Sequence, residues 1–249
     1  MMPRVAVIGT GGTIASLGRH SLDFVDYGLT DKRLSAHEMI ERIAELQQVA
    51  RISTVDCGNL SSVDIGYETW RSLADLCSRL AKEDASLAGI VITHGTCSME
   101  ETAFFLDLWL DLPIPVVLTG AQRPFDALST DAPLNLLQAV QVASTETFAG
   151  QGVLIAFGGE VHAARDVVKH SGSALDAFAS PALGPIGRIE AGEAKLFRAM
   201  ALERPARFAG SAMPDRLPRV EIVYSHADAD GVAIDAYVAA GARGNVAAG

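Results

Sequence analysis

The sequence predicts an α/β protein in which a doubly wound, mostly parallel sheet is covered by helices on both faces. Short apolar segments alternate along the chain with segments whose apolar residues recur at helical spacing. Strands that are apolar on both sides are typical of parallel sheets buried between two helical layers. In the clearest unit, Ile90–Thr93 has strand character, residues 94–98 form a polar turn, and helical periodicity follows. Such a turn lies at the carboxyl edge of a parallel sheet, where ligands bind.

The larger, N-terminal domain is predicted to span residues 1–190. Its strands are predicted where short apolar runs end in small or polar residues: residues 4–8, 49–55, 90–93, 115–118 and 152–157. Its helices are predicted where apolar side chains recur three and four positions apart: residues 35–48, 67–82, 99–110 and 131–144. Ser35 and Glu38 have the spacing of a capping box at the start of the first helix. Pro133 lies near the start of the last helix, where its missing N–H costs little.

A linker and a smaller C-terminal domain are predicted to follow. Composition turns rich in Ala, Gly and Pro after residue 171, and the linker is placed at residues 191–217. Residues 218–249 have the pattern strand, helix, strand, which is typical of the start of an α/β domain. So short a unit cannot bury a core of its own. We therefore expect it to pack on the larger domain or on a neighbouring subunit, or to be a truncated domain.

Composition argues against several classes of protein. Acidic residues (30) outnumber basic ones (20), and the basic residues form no run, so nothing indicates nucleic-acid binding. No apolar run approaches the ~20 residues of a membrane helix, and the first residues lack the pattern of a signal peptide. The three cysteines, Cys57, Cys77 and Cys97, are odd in number and have no zinc-site spacing. We therefore expect a cytoplasmic protein with no metal site and no membrane partner.

Hydroxyl side chains mark three turns that follow predicted strands. They are Thr10 and Thr13, Ser61 and Ser62, and Thr96 and Ser98. A threonine hydroxyl needs a base before it can act as a nucleophile, and Lys169, after a fourth strand, could be that base in a desolvated cleft. Gly11 and Gly12 would let backbone N–H groups approach an oxyanion. Together these residues suggest acyl transfer by a threonine nucleophile.

Each of these features also has an ordinary structural interpretation. Residues 9–12 could form a phosphate-binding turn, although Ile14 stands where the dinucleotide fingerprint needs Gly or Ala. Cys97 could be a nucleophile near His94, but a structural cysteine is the commoner case. The histidines match no metal-ligand spacing, and Lys169 would be a solvated surface residue in most proteins.

Four segments carry a more specific pattern. They are GTGGTIAS at residues 9–16, ITHGTCSMEETAFFLDL at 92–108, LTGAQRP with LSTDAPLNLLQAV within 118–140, and AARDVVKHSGSALDAFASPALGPIG at 163–187. In this order, they resemble the bacterial L-asparaginase/glutaminase family. The resemblance implies a homotetramer of two-domain α/β subunits built from intimate dimers. It also implies hydrolysis of a side-chain carboxamide to a carboxylate and ammonia, with no metal or cofactor.

The resemblance also assigns roles to residues of the reaction centre. Thr13 matches the family's nucleophile, Thr96 its second threonine, and Lys169 the lysine that polarises this second hydroxyl. The backbone N–H groups of Thr13 and Ala121 match the donors of the oxyanion hole. Tyr27 is the candidate for the loop tyrosine that assists the nucleophile.

The end of the site that would bind the amino-acid part of the substrate departs from the family. Gly12 and Ser62 match substrate-binding positions, and Ser62 is the serine that grips the α-carboxylate. Cys97 replaces the aspartate that binds the α-ammonium, and Val63 replaces a glutamine. An amide lacking a free α-amino group is therefore an alternative substrate, and a non-catalytic ligand-binding protein is a second alternative. Family members also continue beyond Gly249, with a residue that reaches the neighbouring subunit's site.

Overall fold

The computed structural model describes residues 2–200, 208 and 211–249. Its strands are β1 Arg4–Gly11, β2 Arg51–Leu60, β3 Leu87–Thr93, β4 Val116–Thr119, β5 Val153–Phe157, β6 Glu160–Ala163, β7 Val168–Lys169, β8 Phe178–Ala179, β9 Gly187–Glu190, β10 Glu193–Leu196, β11 Val220–Tyr224 and β12 Gly244–Ala248. Its α-helices are α1 Ala36–Glu41, α2 Leu46–Val49, α3 Tyr67–Glu83, α4 Met99–Trp109, α5 Ala132–Ala143 and α6 Val232–Ala239. Short 3-10 turns cover Thr13–Ala15, Asp26–Leu29, Ser62–Asp64 and Glu146–Phe148.

Eight strands form the central sheet in the order β10-β9-β6-β5-β4-β3-β1-β2. The five from β5 to β2 are parallel to one another, and β6, β9 and β10 extend the sheet in antiparallel pairs. Val5, Ala6, Val7 and Ile8 of β1 are all at most 1% exposed. Because alternate residues of a strand point to opposite faces, both faces of the sheet are covered. The predicted α/β fold with a mostly parallel sheet is confirmed.

The helix predicted over residues 35–48 is two shorter helices. Ser35 and Glu38 form the predicted capping box, with side-chain and backbone bonds in both directions. The chain then leaves α1 at Arg42 and tightens through three-residue turns before α2. Ile43 and Leu46 remain buried beside Met39, so the apolar spacing that predicted one helix reports burial rather than helical continuity.

The sheet extends into the segment that was predicted as the beginning of a linker. Residues 193–196 form β10, which pairs with β9 through a two-residue turn. Ala191 and Gly192 both have positive φ, at 51° and 83°, and this conformation matches the twist of a tight hairpin. An alanine at such a position is not a turn signal in a sequence, which is why residues 191–196 were assigned to the linker. Residues 201–207, 209 and 210 of that linker lie outside the described residues.

Contacts divide the chain into two units, Met1–Ser211 and Ala212–Gly249. The second unit holds β11, α6 and β12, with the two strands parallel. No residue of α6, which the structure describes in full, is buried. Three apolar residues of the unit are largely exposed: Ile222 at 59%, Val232 at 67% and Val238 at 58%. Within itself this unit therefore forms no core, as its length leads one to expect.

Candidate active site

Backbone contacts between glycines bring the turns after β1, β2 and β3 together. Gly12 has a φ of +81°, and a Cβ there would lie 2.4 Å from the Cα of Gly95. The N–H of Gly12 donates to the carbonyl of Leu60 at 3.1 Å. A Cβ on Gly95 would lie 2.7 Å from the Cβ of Ser62. Only glycine permits this approach, so the residues that follow these glycines lie at one site.

Thr13 and Tyr27 form the first hydroxyl pair of this site. Thr13 opens the 3-10 turn after β1, and its Oγ1 lies 2.9 Å from the Oη of Tyr27. Thr30 anchors the loop that carries the tyrosine, because its hydroxyl lies 2.9 Å from the carbonyls of both Leu17 and Tyr27. The structure thus brings together the two predicted residues that lie 14 positions apart in sequence.

Thr96 and Lys169 form the second pair. The Nζ of Lys169 donates to the Oγ1 of Thr96 at 2.7 Å, and Thr96 is only 5% exposed. The turn after β4 lies alongside, since a Cβ on Gly120 would be 3.1 Å from the Cγ2 of Thr96. Ala121, the predicted oxyanion donor, directly follows that glycine and is fully buried.

Glu100 is a site residue that the sequence did not reveal. Its carboxylate accepts the backbone N–H of Lys169 in a short hydrogen bond. The only signal in the sequence was its place in the first turn of α4, where the helix dipole favours an acid. A contact across 69 residues could not be read from that position.

The two departures at the substrate end lie at the surface of these turns. Cys97 is exposed, and Val63 is 76% exposed. Ser62 is 7% exposed, and its carbonyl accepts a hydrogen bond from the hydroxyl of Ser98 at 2.6 Å. This bond ties the turn after β2 to the start of α4, with Cys97 beside it. Position 97 therefore offers a thiol where an aspartate would offer a carboxylate.

Two further features lie apart from these turns. Among residues 2–200, 208 and 211–249, no group of three or more His, Cys, Asp and Glu could hold a metal ion. A cavity of about 890 Å³ is lined by Arg4, Arg51 and Leu87, which open β1, β2 and β3. It therefore lies at the amino edge of the sheet, opposite the hydroxyl pairs. No helix in the described part of the chain is long and apolar enough to cross a membrane.

Comparisons with known proteins identify the family of the chain. A sequence model of the family described as "Asparaginase, N-terminal" matches residues 4–202. The chain is 38% identical over 249 residues to a probable periplasmic L-asparaginase of Haemophilus influenzae, covering 100% of this chain and 70% of that one. It is 35% identical to L-asparaginase 2 of Escherichia coli, over 100% of this chain and 70% of that one. It is 33% identical to a glutaminase-asparaginase of Pseudomonas fluorescens, over 100% of this chain and 68% of that one.

A solved structure gives the same result. The crystal structure of a probable cytoplasmic L-asparaginase from Campylobacter jejuni matches with a TM-score of 0.90 and 36% identity, over 99% of this chain and 75% of that one. The fold and these similarities define an amidohydrolase built on an α/β sheet. The chain belongs to the asparaginase family and is an L-asparaginase-like amidohydrolase.

Proposed function

We propose that this chain hydrolyses the side-chain carboxamide of L-asparagine, or of an asparagine-like amide, through an acyl-enzyme on Thr13. One observation carries the proposal. Thr13 and Thr96 directly follow Gly12 and Gly95, two glycines whose backbones are in contact. Each threonine hydroxyl has a hydrogen-bond partner, Tyr27 for Thr13 and Lys169 for Thr96. A nucleophile with a hydroxyl partner beside a second, polarised hydroxyl is the arrangement that acyl transfer needs.

In the first step the Oγ1 of Thr13 attacks the carboxamide carbon. Its proton passes to the hydroxyl of Tyr27, which gives its own proton to the amide nitrogen. The tetrahedral oxyanion is held by the backbone N–H groups of Thr13 and Ala121, which lie in the turns after β1 and β4. The C–N bond then breaks, ammonia leaves, and Thr13 carries the acyl group as an ester.

In the second step water attacks this ester and the carboxylate is released. The proton of the water returns to the Oγ1 of Thr13 through Tyr27. Because Lys169 Nζ donates to Thr96 Oγ1, the hydrogen of the Thr96 hydroxyl remains available to orient the substrate or the water. The lysine polarises that hydroxyl and strengthens it as a donor. All these groups are side chains or backbone N–H groups, so we propose a reaction without metal or cofactor.

Ammonia release from asparagine, glutamine and succinamate tests the proposal. We expect wild type to release ammonia and Thr13→Ala to release none, while Thr13→Ser retains part of the rate because a hydroxyl remains. Rapid quenching of the wild-type reaction should trap an acyl group on the peptide that contains Thr13. Turnover by Thr13→Ala, above all if a thiol reagent stops it, would instead make Cys97 the nucleophile. Tight binding of an amino acid without ammonia release would favour a binding protein.

A related substrate is favoured by the exposed positions at the substrate end. Cys97 and Val63 offer no carboxylate and no amide where the α-ammonium of asparagine would lie. Because these positions are exposed, an ammonium without a charged partner there loses on the order of 1 kcal/mol of interaction. We therefore propose weak activity on free asparagine and comparable activity on an amide without the α-amino group. A tenfold or greater preference for asparagine over succinamate would contradict this second proposal.

We further propose that the protein is a cytoplasmic homo-oligomer, a dimer or a tetramer. The apolar side chains exposed on the second unit, Ile222 and Val232 among them, support association with further protein. Three free cysteines, with Cys97 exposed, fit a reducing compartment, while the relatives are named for both the periplasm and the cytoplasm. Light scattering on the purified protein tests the first point, and cell fractionation tests the second.

A further inference from the structure

A buried histidine lies immediately beside the catalytic turn and has no part in the proposed reaction. His94 follows β3, is 0% exposed, and precedes Gly95 and Thr96 in the chain. Its imidazole lies between two hydrogen-bond partners, and the atoms involved allow the position of its proton to be deduced.

The hydrogen bonds form a chain with one direction. The Nε1–H of Trp70 in α3 can only donate, and it donates to the Oγ1 of Thr102 in α4 at 2.8 Å. The Thr102 hydroxyl lies 2.9 Å from the Nε2 of His94. The other ring nitrogen, Nδ1, lies 2.7 Å from the carbonyl of Gly95, and a carbonyl can only accept. The proton of the neutral ring is therefore on Nδ1, and Nε2 accepts from Thr102.

Burial keeps this arrangement from being disturbed by protonation. Desolvation lowers the pKa of His94 from 6.5 to about 4, against a smaller opposite effect of its bond to the Gly95 carbonyl. A protonated ring would carry hydrogens on both nitrogens and would lose the acceptor that Thr102 needs. At neutral pH the ring is therefore uncharged, with one tautomer fixed by its neighbours.

The carbonyl of Gly95 belongs to the peptide group that precedes Thr96. Fixing this oxygen fixes the plane of that peptide, and hence the direction in which Thr96 leaves the turn. The same glycine packs against the backbone of Gly12, the residue before Thr13. A rotated Gly95–Thr96 peptide would therefore shift one hydroxyl pair relative to the other.

We propose that His94 is a positioning residue for the amide hydrolysis: the Thr102 hydroxyl, itself bonded by Trp70, satisfies Nε2 of the Nδ1–H tautomer, and the Nδ1–H holds the Gly95 carbonyl so that Thr96 faces the substrate. The inference rests on the proposed function. It predicts that the tautomer of His94, and not merely its bulk, matters for turnover. If the histidine only filled space in the core, substitutions of similar size would lower kcat equally.

Two substitutions distinguish a positioning role from mere space filling, because each places an amide group near the position of one of the two ring nitrogens. His94→Asn places an amide N–H near the position of Nδ1 and keeps a donor for Gly95. His94→Gln reaches toward Thr102 and leaves the Gly95 carbonyl without its donor. We expect His94→Gln to lower kcat by on the order of a hundredfold, the effect of a displacement of about 1 Å, with KM little changed. His94→Asn should lose far less, at similar melting temperature.

A second pair of variants changes the hydrogen-bond chain at Thr102 and leaves the histidine itself in place. Thr102→Val keeps the side-chain shape and removes the hydroxyl, whereas Thr102→Ser retains it. We expect Thr102→Val to lower kcat by roughly tenfold or more and Thr102→Ser to restore most of the rate. In ¹⁵N NMR spectra of wild type near pH 7, His94 should show a protonated Nδ1 and an unprotonated Nε2.

The outcomes are distinguishable from a failure of the proposed function. Equal losses of kcat in His94→Asn and His94→Gln, or a protonated Nε2 in wild type, would overturn the positioning role. If wild type releases no ammonia from any of the three amides, the proposed function fails. The NMR measurement then tests the tautomer independently of turnover.

Discussion

Lys169 and Thr96 are 73 residues apart in sequence, yet the lysine Nζ lies 2.7 Å from the threonine Oγ1. The lysine reaches this position from β7, a strand of only two residues that pairs with β8. So short a strand fixes little by itself. The carboxylate of Glu100, one turn after Thr96, accepts the backbone N–H of Lys169. Thr96 and Glu100 thus hold the side chain and the backbone of the same lysine.

Substitution of Glu100 should weaken catalysis through the position of Lys169. We expect Glu100→Ala to lower kcat by about tenfold or more, because the lysine loses the bond that sets its backbone. Glu100→Gln retains an acceptor oxygen and should lose less. Steady-state ammonia release with the amide that wild type hydrolyses best is the measurement.

Glu101 supplies the matched control for this experiment. It lies in the same first turn of α4 and is exposed, so Glu101→Ala removes the same charge near the helix dipole without touching Lys169. We expect its kcat to stay close to that of wild type. If both alanine variants lose the same activity, the effect belongs to the helix terminus and not to the lysine.

Tyr27→Phe should separate substrate binding from chemistry. The phenol oxygen lies 2.9 Å from the Thr13 Oγ1, and its removal takes away the group that we propose relays the proton. We expect kcat to fall by roughly 10²-fold, in the range typical of lost acid–base assistance, with KM little changed. Tyr224→Phe is the control, since that tyrosine is 75% exposed on the second unit. A loss confined to KM would show that Tyr27 binds substrate and does not relay protons.

Buried histidines should make the protein less stable in mild acid. Desolvation lowers the pKa of His94 to about 4 and also lowers that of His162. Between pH 6.5 and 4 the unfolded chain binds a proton at His94 that the folded protein does not, so the free energy of unfolding falls as pH falls. For His94 the full loss is about 3 kcal/mol. Above pH 6.5 this contribution to stability is fully present.

Urea denaturation at several pH values checks this dependence. Wild type should lose stability steadily between pH 6.5 and 4.5, and His94→Asn should lose less over the same interval because one titrating group is gone. The contribution of His162 remains in both proteins and sets the residual slope. Identical slopes for the two proteins would show that His94 is not the group responsible.

Local sequence signals predicted the elements of the fold better than the contacts between them. The capping box of Ser35 and Glu38 is present because both partners lie within one helical turn. The hairpin at Ala191 was missed because its positive φ is imposed by pairing with the sheet and not by the residue. The threonines of the candidate site were predicted from motifs, but the bond between Glu100 and Lys169 depends on how distant strands are ordered, which no local pattern encodes.

Substitution of Cys97, the exposed cysteine beside Thr96, offers the sharpest test of substrate preference. Cys97→Asp would place a carboxylate beside Ser98 and Ser62, where the α-ammonium of an amino-acid substrate would lie. We expect the ratio of kcat/KM for asparagine to that for succinamate to rise at least tenfold, equivalent to about 1.4 kcal/mol. Ammonia release from both amides, measured in parallel, gives this ratio directly.

Cys97→Ser is the matched control, because it removes the thiol without adding charge and should leave the ratio close to that of wild type. The physical reason for the difference is that a carboxylate attracts an ammonium and forms a charge-assisted hydrogen bond with it, which a hydroxyl cannot do. A ratio that rises equally in the serine variant would trace the effect to loss of the thiol. A ratio unchanged in Cys97→Asp would mean that the α-ammonium does not lie at this turn, which would contradict the proposed preference for an amide without an α-amino group.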